Sequence, residues 1–367
     1  MTDRLNVALS VDALGPRLTG IGRYCLELAR GIPAGPGVGE VRYFRGPHWL
    51  DDPEALLEEG WSPARRGRVG RWLYQRRNQR HMRTSIVHGP NFFLPEWAEQ
   101  GVITVHDLSV MLYPETHPAE RIRDFERRFQ SSLDRASIII TDSEAVRGEI
   151  IALLGLPEDR VKAIPLGVSV AAAPADLRLL QQSGLAPGGY CLSVSTFEPR
   201  KRIDALVQAY ALLDPALRQA VPLVLAGASG WRNDGLNALI EAGVGQGWIR
   251  RLDFVPDDLL GSLYAGARLF VYPSRYEGFG LPPVEAMQHG IPTIVGNAAT
   301  LIEVTRGAAR VVDPDDIEAF ADQLADALED VEWQAAAAEA GRSVAMSYRW
   351  SDCIAATVAV YRESAGR

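Results

Sequence analysis

The chain has 367 residues, more than one hydrophobic core ordinarily supports, so two domains are expected. Hydrophobic residues make up 47% and charged residues 23%, a balance typical of soluble globular proteins. The formal net charge of −8 at pH 7 argues against nucleic acid as a partner, because a binding face must neutralise phosphates.

The cysteines and the apolar segments predict a cytoplasmic protein. Cys25, Cys191 and Cys353 lie far apart without CxxC spacing, which excludes a disulfide framework or a zinc site and fits a reducing compartment. The N-terminus has charged residues before a short alternating apolar run, unlike the uninterrupted apolar core of a signal peptide. No stretch approaches the ~18 apolar residues of a membrane-spanning helix.

Short β-branched runs alternate with helical segments along the whole chain. Near-continuous apolar strands separated by helices are typical of buried parallel sheets, so the predicted class is α/β with doubly wound sheets. The predicted strands, in chain order, are Asn6–Val11, Ser85–His88, Val102–Val105, Ser137–Thr141, Cys191–Ser195, Leu223–Ala226, Arg251–Val255, Leu269–Tyr272 and Pro292–Val295.

A turn-rich stretch near residue 186 separates two α/β halves. We predict an N-terminal Rossmann-like domain over residues 1–170, joined by a C-terminal helix at about 348–367, and a second Rossmann-like domain over 186–347. Two such domains facing each other leave a cleft, and ligands bind at the carboxyl ends of their strands. The first prediction is therefore an enzyme with its site in the cleft.

The first predicted strand is followed by a glycine-containing loop that includes Gly20 and Gly22. The loop superficially resembles a dinucleotide fingerprint, but Cys25 occupies the position of the third glycine. A nicotinamide oxidoreductase is therefore disfavoured.

Residues 65–83 form a basic segment in an otherwise acidic chain. They carry eight arginines and no acid, interrupted by Trp72, Leu73 and Tyr74. Such a pattern is typical of an interfacial helix on anionic lipid, and equally of a solvated arginine-rich helix face. The segment Arg65–Arg83 is thus a candidate for peripheral contact with the inner face of a membrane.

Two histidines stand at strand ends in the first half. His106 follows the predicted strand Val102–Val105, and there it could hydrogen-bond a reacting group through its backbone or side chain. His88 precedes Gly-Pro-Asn at another strand end. For His106 taken alone, the alternative is a structural residue whose hydrogen bonds are satisfied inside the protein.

The turn after the first strand of the second half reads STFEPRK, residues Ser195–Lys201. Arg200 and Lys201 precede a helix, where positive charge opposes the helix dipole, so a functional role is favoured over a solvated helix start. Cations fixed in place beforehand stabilise the negative charge that develops on a leaving phosphate.

Residues 274–287 read SRYEGFGLPPVEAM and place Glu277 and Glu285 eight positions apart. Glycines let the backbone approach a ligand, and a proline-initiated helix offers amides and a positive dipole end to a phosphate. Two carboxylates at this separation could accept hydrogen bonds from a polyhydroxylated ligand at two points. The spacing leaves open that Glu277 is a surface turn residue and Glu285 a first-turn acid favoured by the dipole.

Several acid pairs could imitate a metal site, but a solvated or helix-capping role is the stronger interpretation, and no metal is predicted. These pairs are Asp51-Asp52, Asp257-Asp258 and the group Asp313, Asp315 and Asp316.

Together these motifs resemble the retaining GT-B glycosyltransferases of family 4. Residues 274–287 are similar to the family's E-x7-E signature, and STFEPRK is similar to its diphosphate-binding turn. Further similar runs follow in the expected order over nearly the whole chain, namely Leu18–Tyr24, His88–Pro95, Val105–Leu108, Asp142-Ser143-Glu144, Ile164–Val168, Leu223–Trp231, Leu263–Ser274, Gly290–Thr293 and Ala308–Pro314. The implied fold is GT-B, two Rossmann-like doubly wound domains facing across a cleft.

The resemblance also implies roles for individual residues. The expected catalytic residues are His106, Glu277, Arg200 and Lys201. Expected donor-binding residues are Gly20, Gly22, Ser195, Thr196, Phe279, Gly280, Leu281 and Glu285, with Glu285 accepting from ribose hydroxyls. The acceptor side is expected at His88, Asn91 and Asp107. Many family members have an arginine near Ser195-Thr196, so here the phosphate contact is expected to rely on Arg200 and Lys201.

The implied activity is transfer of a hexose from a nucleoside diphosphate sugar, with retention and without a metal or other cofactor. The basic turn resembles the mannosyltransferase and rhamnosyltransferase branch of bacterial O-antigen and surface polysaccharide synthesis, which favours GDP-mannose or GDP-rhamnose. The expected acceptor is a glycan or a polyprenyl-diphosphate-linked glycan. Alternatives are a UDP-sugar donor such as UDP-glucose, and a catalytically silent glycan- or lipid-binding subunit of the same fold.

Overall fold

The computed structural model describes residues 4–62, 84–168, 176–228, 230, 234–253 and 255–366. They divide into two compact units. The first unit takes its described residues from Met1–Leu108, Glu120–Gly167 and Arg349–Arg367, and the second from Ser109–Ala119 and Val168–Tyr348. The basic segment Arg65–Arg83 lies outside the described residues, so its contact with a membrane stays a prediction.

The first unit is built on a seven-stranded sheet with the order β3-β2-β1-β4-β5-β6-β7. All neighbouring strands are parallel except β2 and β3, which form an antiparallel hairpin at one edge. The strands are β1 (Leu5–Ser10), β2 (Val38–Arg45), β3 (His48–Leu50), β4 (Ser85–Gly89), β5 (Gly101–Thr104), β6 (Ala136–Thr141) and β7 (Val161–Ala163).

The second unit is built on a six-stranded, fully parallel sheet with the order β10-β9-β8-β11-β12-β13. Its central strands are buried over their whole length, as expected for a sheet covered by helices on both faces. The strands are β8 (Cys191–Val194), β9 (Leu223–Ala226), β10 (Ile249–Leu252), β11 (Leu269–Tyr272), β12 (Thr293–Gly296) and β13 (Arg310–Val312).

Helices connect the strands in both units. The helices of the described residues are α1 (Gly20–Gly31), α2 (Ser109–Leu112), α3 (Ala119–Arg135), α4 (Glu144–Leu154), α5 (Leu177–Gln182), α6 (Ile203–Leu212), α7 (Pro215–Ala220), α8 (Asp234–Gly245), α9 (Asp257–Gly266), α10 (Leu281–Gln288), α11 (Ala299–Thr305), α12 (Ile317–Glu329), α13 (Val331–Ala345) and α14 (Trp350–Ala365). None of the helices in this described part combines the length and apolarity needed to cross a bilayer.

The predicted strands are confirmed, with ends that differ by at most three residues. The largest displacement is in β10, which spans Ile249–Leu252 where Arg251–Val255 was predicted. Strands β2, β3, β7 and β13 were not predicted from the sequence. Strand β2 mixes charged residues and a glycine with apolar ones and has neither a continuous apolar run nor regular alternation, and the other three are only three residues long, so their apolar signal is weak.

The strand order locates the ligand-binding edge of each sheet. The order reverses at β1 and β4 in the first unit and at β8 and β11 in the second. Ligands of doubly wound sheets bind at such switch points, beyond the carboxyl ends of the strands. The loops that follow β1, β4, β8 and β11 carry most of the predicted site residues, so both sheets present them at the expected edge.

A buried hydrogen-bond network joins the sheet of the first unit to α1 and α14. The Thr104 hydroxyl lies 3.0 Å from the Tyr24 hydroxyl and 2.9 Å from His88 Nε2, and His88 Nδ1 lies 2.7 Å from the Tyr361 hydroxyl. Burial, with a smaller contribution from His106, lowers the pKa of His88 to about 3, so the ring is neutral. The network satisfies four polar groups inside an apolar core.

We expect Thr104→Val to lower the free energy of unfolding by about 2 kcal/mol or more, because it leaves His88 and Tyr24 with buried polar atoms unpaired. The matched control is Thr357→Val. Thr357 is equally buried, and its hydroxyl donates to the carbonyl of Cys353 in its own helix. Thr357→Val should lower the free energy of unfolding by about 1 kcal/mol or less. Urea unfolding measures the free energy of unfolding of both variants. Equal losses of that free energy would contradict a specific role for the network.

Candidate active site

The turn after β8 is fixed against the loop after β11 by its backbone. The carbonyl of Arg200 accepts hydrogen bonds from Ser274 Oγ at 3.2 Å and from the amide of Arg275 at 2.9 Å. Gly227, at φ 144°, comes so close that a Cβ there would lie 1.9 Å from the carbonyl oxygen of Ser195. Only glycine therefore allows the next loop to pack against this turn.

Between the two loops lies a buried cluster of charges. Lys201 Nζ donates to Glu277 Oε1 at 2.5 Å and to the Tyr272 hydroxyl at 2.9 Å. Arg200 Nη1 donates to the carbonyl of Tyr276 at 3.0 Å and lies 3.5 Å from Glu277 Oε2. Three predicted catalytic residues, Arg200, Lys201 and Glu277, are thus brought into direct contact.

Burial raises the pKa of Glu277, but the nearby charges of Lys201 and Arg200 outweigh it and hold that pKa below its ordinary value. The carboxylate is therefore ionised, and its two oxygens face two cations. The alternative that the spacing left open for Glu277 was an exposed surface turn residue. The structure instead shows a residue that is 6% exposed, so the surface-turn interpretation is wrong.

Glu198 belongs to the same cluster, although the sequence analysis did not select it. Its Oε1 accepts from Arg200 Nη2 at 3.2 Å and from Thr196 Oγ1 at 2.9 Å. Its Oε2 is buried and has no donor among the described residues. An acid inside a basic turn was the signal available in the sequence, and its role in orienting Arg200 depends on tertiary contacts.

The helix α10 begins as predicted, with prolines in its first turn and Gly280 before it at φ 97°. Phe279 is 3% exposed and packs edge-on against Tyr348 at 5.3 Å, so a ligand can meet only its backbone. Leu281 is also buried. Glu285 is half-buried on α10 and accepts from the Tyr264 hydroxyl at 3.0 Å.

The hydroxyls of Ser195 and Thr196 differ in their surroundings. Thr196 is exposed and donates to Glu198, whereas Ser195 is 8% exposed and its Oγ has no partner among the described residues. Their contact with a donor stays a prediction.

In the first unit, the ring of His106 is held at both nitrogens. Nε2 donates to the carbonyl of Pro90 at 2.8 Å, and Nδ1 lies 2.7 Å from Asp142 Oδ2. A side-chain hydrogen bond from His106 to a sugar is therefore not available in this arrangement, and only the backbone route remains. Asp142, which the sequence analysis cited only as part of a motif, fixes the ring orientation.

His88 does not support the predicted acceptor contact. The residue is 0% exposed, and both ring nitrogens are engaged in the network with Thr104 and Tyr361. His88 is thus a histidine whose two ring nitrogens have their hydrogen-bond partners inside the protein. The buried position follows from its place inside β4, a central strand covered by α14.

The remaining first-unit residues lie at the predicted edge. Asn91 and Asp107 are half-buried, and Asn91 Oδ1 has no partner within the described ranges. Gly20 starts α1, while the amide of Gly22 donates to Thr19 Oγ1 at 3.1 Å as part of the helix cap. The amide of Gly22 is thus already used, which leaves Gly20 as the candidate for contact with a ligand.

In the described ranges no group of three or more His, Cys, Asp or Glu side chains is placed to hold a metal ion. Metal independence stays a prediction. Asp315, one of the suspected metal ligands, instead accepts from Arg202 and, at 2.6 Å, from Arg275. Asp316 caps α12, as the sequence analysis expected for this group.

The comparisons with known proteins agree with this fold. Residues 18–172 match the family model "Glycosyltransferase Family 4", and residues 181–344 match "Glycosyl transferases group 1". The O-antigen chain mannosyltransferase B of Escherichia coli is 38% identical over 98% of this chain and 100% of its own length. The serotype-specific mannosyltransferase WbdA of Escherichia coli is 32% identical over 59% of this chain, which corresponds to 28% of WbdA.

Solved structures show the same architecture. WaaG, a glycosyltransferase involved in lipopolysaccharide biosynthesis, has a TM-score of 0.72 at 18% identity over 97% of this chain and 99% of its own. HepE from Anabaena, solved with UDP and glucose, has a TM-score of 0.72 at 20% identity over 98% and 100%. The two doubly wound units and these matches define a glycosyltransferase of the GT-B class. The chain belongs to glycosyltransferase family 4.

We expect the ring of His106 to titrate above pH 6.5, its ordinary value. Burial lowers the pKa of His106, but the Asp142 carboxylate and the Pro90 carbonyl outweigh it and raise that pKa. The stability contributed by this raised pKa is fully present below pH 6.5 and is lost as the pH rises through the folded-state value.

Histidine NMR of wild type and Asp142→Asn measures this pKa directly. In the variant the burial effect dominates, so the His106 midpoint should fall below 6.5. His88 is the internal control, because its pKa of about 3 predicts no titration between about pH 5 and 9. An unchanged His106 midpoint in Asp142→Asn would contradict the assigned pairing.

Proposed function

We propose that this glycosyltransferase moves a mannosyl residue from GDP-mannose to a glycan acceptor carried on a lipid diphosphate, with retention of anomeric configuration. The observation that carries the proposal is the buried cluster of Arg200, Lys201 and Glu277 beyond β8 and β11. The choice of mannose is supported by the full-length similarity to O-antigen chain mannosyltransferase B.

The cluster suits departure of a nucleoside diphosphate. When the bond between the anomeric carbon and the phosphate oxygen breaks, its electron pair stays on the phosphate, and negative charge develops there. Arg200 and Lys201 are held in place by Glu277 before the reaction, so they need no reorganisation to stabilise that charge. The first turn of α10 adds backbone amides and the positive end of a helix dipole.

Glu285 is the candidate contact for the nucleotide's ribose. One carboxylate oxygen accepts from Tyr264, and an ionised carboxylate has further lone pairs that can accept from two neighbouring hydroxyls. We thus assign donor binding to Glu285 on α10 and leaving-group stabilisation to Lys201 in the turn after β8.

Alternative donors differ mainly in the base and the sugar. GDP-rhamnose and UDP-glucose use the same diphosphate chemistry, so Arg200 and Lys201 fit them equally. A catalytically silent binding subunit would not need its cations held rigidly, and the intact cluster favours an enzyme. Metal independence, a cytoplasmic location and the membrane contact of Arg65–Arg83 belong to the proposal as expectations.

We expect GDP and GDP-mannose to raise the thermal unfolding midpoint, because ligands that bind the folded state stabilise it by mass action. UDP, ADP, dTDP and their sugar conjugates form the comparison panel. A shift with UDP compounds alone would replace the proposed donor by a UDP-sugar, and silence across the panel would favour the binding subunit. NMR of the anomeric proton in the product then tests retention.

The two glutamates should respond differently to isosteric substitution. Glu277→Gln removes the counter-charge of Lys201 and Arg200, so we expect kcat to fall by about 100-fold or more with little change in GDP affinity. Glu285→Gln should chiefly weaken GDP binding and leave kcat nearly unchanged.

Calorimetric titration with GDP and steady-state kinetics separate these effects, and Glu318→Gln, an exposed acid in the first turn of α12, is the matched control. Equal losses of GDP affinity with wild-type kcat in both glutamate variants would refute the assignment of roles. Thermal unfolding of each variant verifies that it is folded.

A further inference from the structure

A cavity of the second unit adjoins the turn from Glu198 to Asp204. It encloses about 460 Å³, within the range of small-molecule sites, and all of its lining residues belong to the second unit. Its lining comes from residues of the segment Tyr113–Thr116, from the turn between Glu198 and Asp204, from Gly235 and Leu236 of α8, and from Arg275 and Asp315. The catalytic cluster and this cavity therefore share Arg200.

The charges around the cavity are already compensated. Arg202 donates to Asp315, and its Nε lies 3.4 Å from Asp204 Oδ1. Arg275 Nη2 donates to Asp315 Oδ2 at 2.6 Å. Arg200 is engaged by Glu198. Because these guanidinium groups have carboxylate partners, the lining does not present the excess positive charge that a phosphate requires.

The remaining lining combines apolar surface with hydrogen-bonding groups. Pro199, Ile203 and Leu236 supply apolar area, and Tyr113 supplies an aromatic ring that packs against Tyr276 at 5.2 Å. Saccharide rings have apolar faces of C–H groups and an edge of hydroxyls, so they use both kinds of surface. The cavity offers such a ligand both kinds of surface, because these apolar contacts stand among lining residues that are otherwise mostly charged.

Glu198 provides an independent indication of the ligand. It is 4% exposed, lines the cavity, and its Oε2 has no hydrogen-bond donor among the described residues. A buried carboxylate oxygen without a donor is costly, and a ligand that brings hydroxyl groups can supply one. A phosphate or carboxylate ligand would instead bring further acceptors and repulsion.

We infer that this cavity, lined by Tyr113, Glu198, Ile203 and Leu236, binds a neutral saccharide unit of the acceptor glycan. The inference rests on the proposed function, since it assigns the acceptor's place in that transfer. The turn from Glu198 to Lys201 then contacts the acceptor saccharide on one side and the donor diphosphate on the other. Arg200 lines the cavity and also belongs to the charged cluster, so a bound acceptor saccharide would contact the same arginine as the donor diphosphate.

The test is binding of α-linked mannotriose, measured by NMR titration of the full chain. Tyr113→Ala removes the aromatic surface, and Leu236→Trp fills the cavity. Each should weaken mannotriose binding by about tenfold or more, the loss expected for truncating or blocking a central contact. The matched controls are Tyr113→Phe, which keeps the ring, and Leu239→Trp, which alters a 38% exposed leucine outside the cavity on the same helix.

The outcomes separate this inference from the proposed donor. The inference is supported if both cavity variants lose mannotriose binding and both controls keep it, while the GDP affinity is unchanged. Absence of mannotriose binding to wild type at millimolar concentration, or equal binding in all variants, overturns it. Competition by inorganic phosphate would show an anion site and overturn it as well. Failure of GDP to bind would refute the donor and leave the saccharide result intact.

Discussion

The second unit of this glycosyltransferase depends on one constraint, which is that Lys201 and Glu277 are buried together. Removing either charge from water is costly, and breaking such a pair by losing one partner costs about 3–5 kcal/mol. The two residues are 76 positions apart, so the sheet must bring the turn after β8 beside the loop after β11. The pairing of β8 with β11 and the ion pair of Lys201 with Glu277 therefore require the same arrangement of the two loops.

That arrangement links several features of the site through one short turn. Glu198 and Glu277 approach Arg200 from two sides, and the Arg200 carbonyl receives the Ser274 hydroxyl. A guanidinium held in this way is preorganised for a developing negative charge. The same turn lines the cavity beside Tyr113, so the proposed donor and acceptor contacts share one element.

Sequence patterns predicted the core elements well and the histidines incompletely. The strand Ala136–Thr141 has six consecutive buried residues, as a strand inside a parallel sheet requires, whereas β2 near the edge has neither a continuous apolar run nor regular alternation and was missed. His88 and His106 look equivalent in the sequence, since each ends an apolar run. Burial by α14 makes His88 a structural residue, and Asp142 fixes the ring of His106, contacts that no local pattern contains.

The sequence by itself determined the α/β class, the positions of most strands and the family, because these follow from apolar periodicity and from motifs along the chain. It also located the charged turn and the two glutamates. Only the tertiary structure decided what each charge contacts: Glu277 faces Lys201 inside the protein, and Glu198 orients Arg200. It also decided that residues 109–119 belong to the second unit. The physical reason is that partners of buried charges come from distant segments, and their distances are fixed only when the sheets have formed.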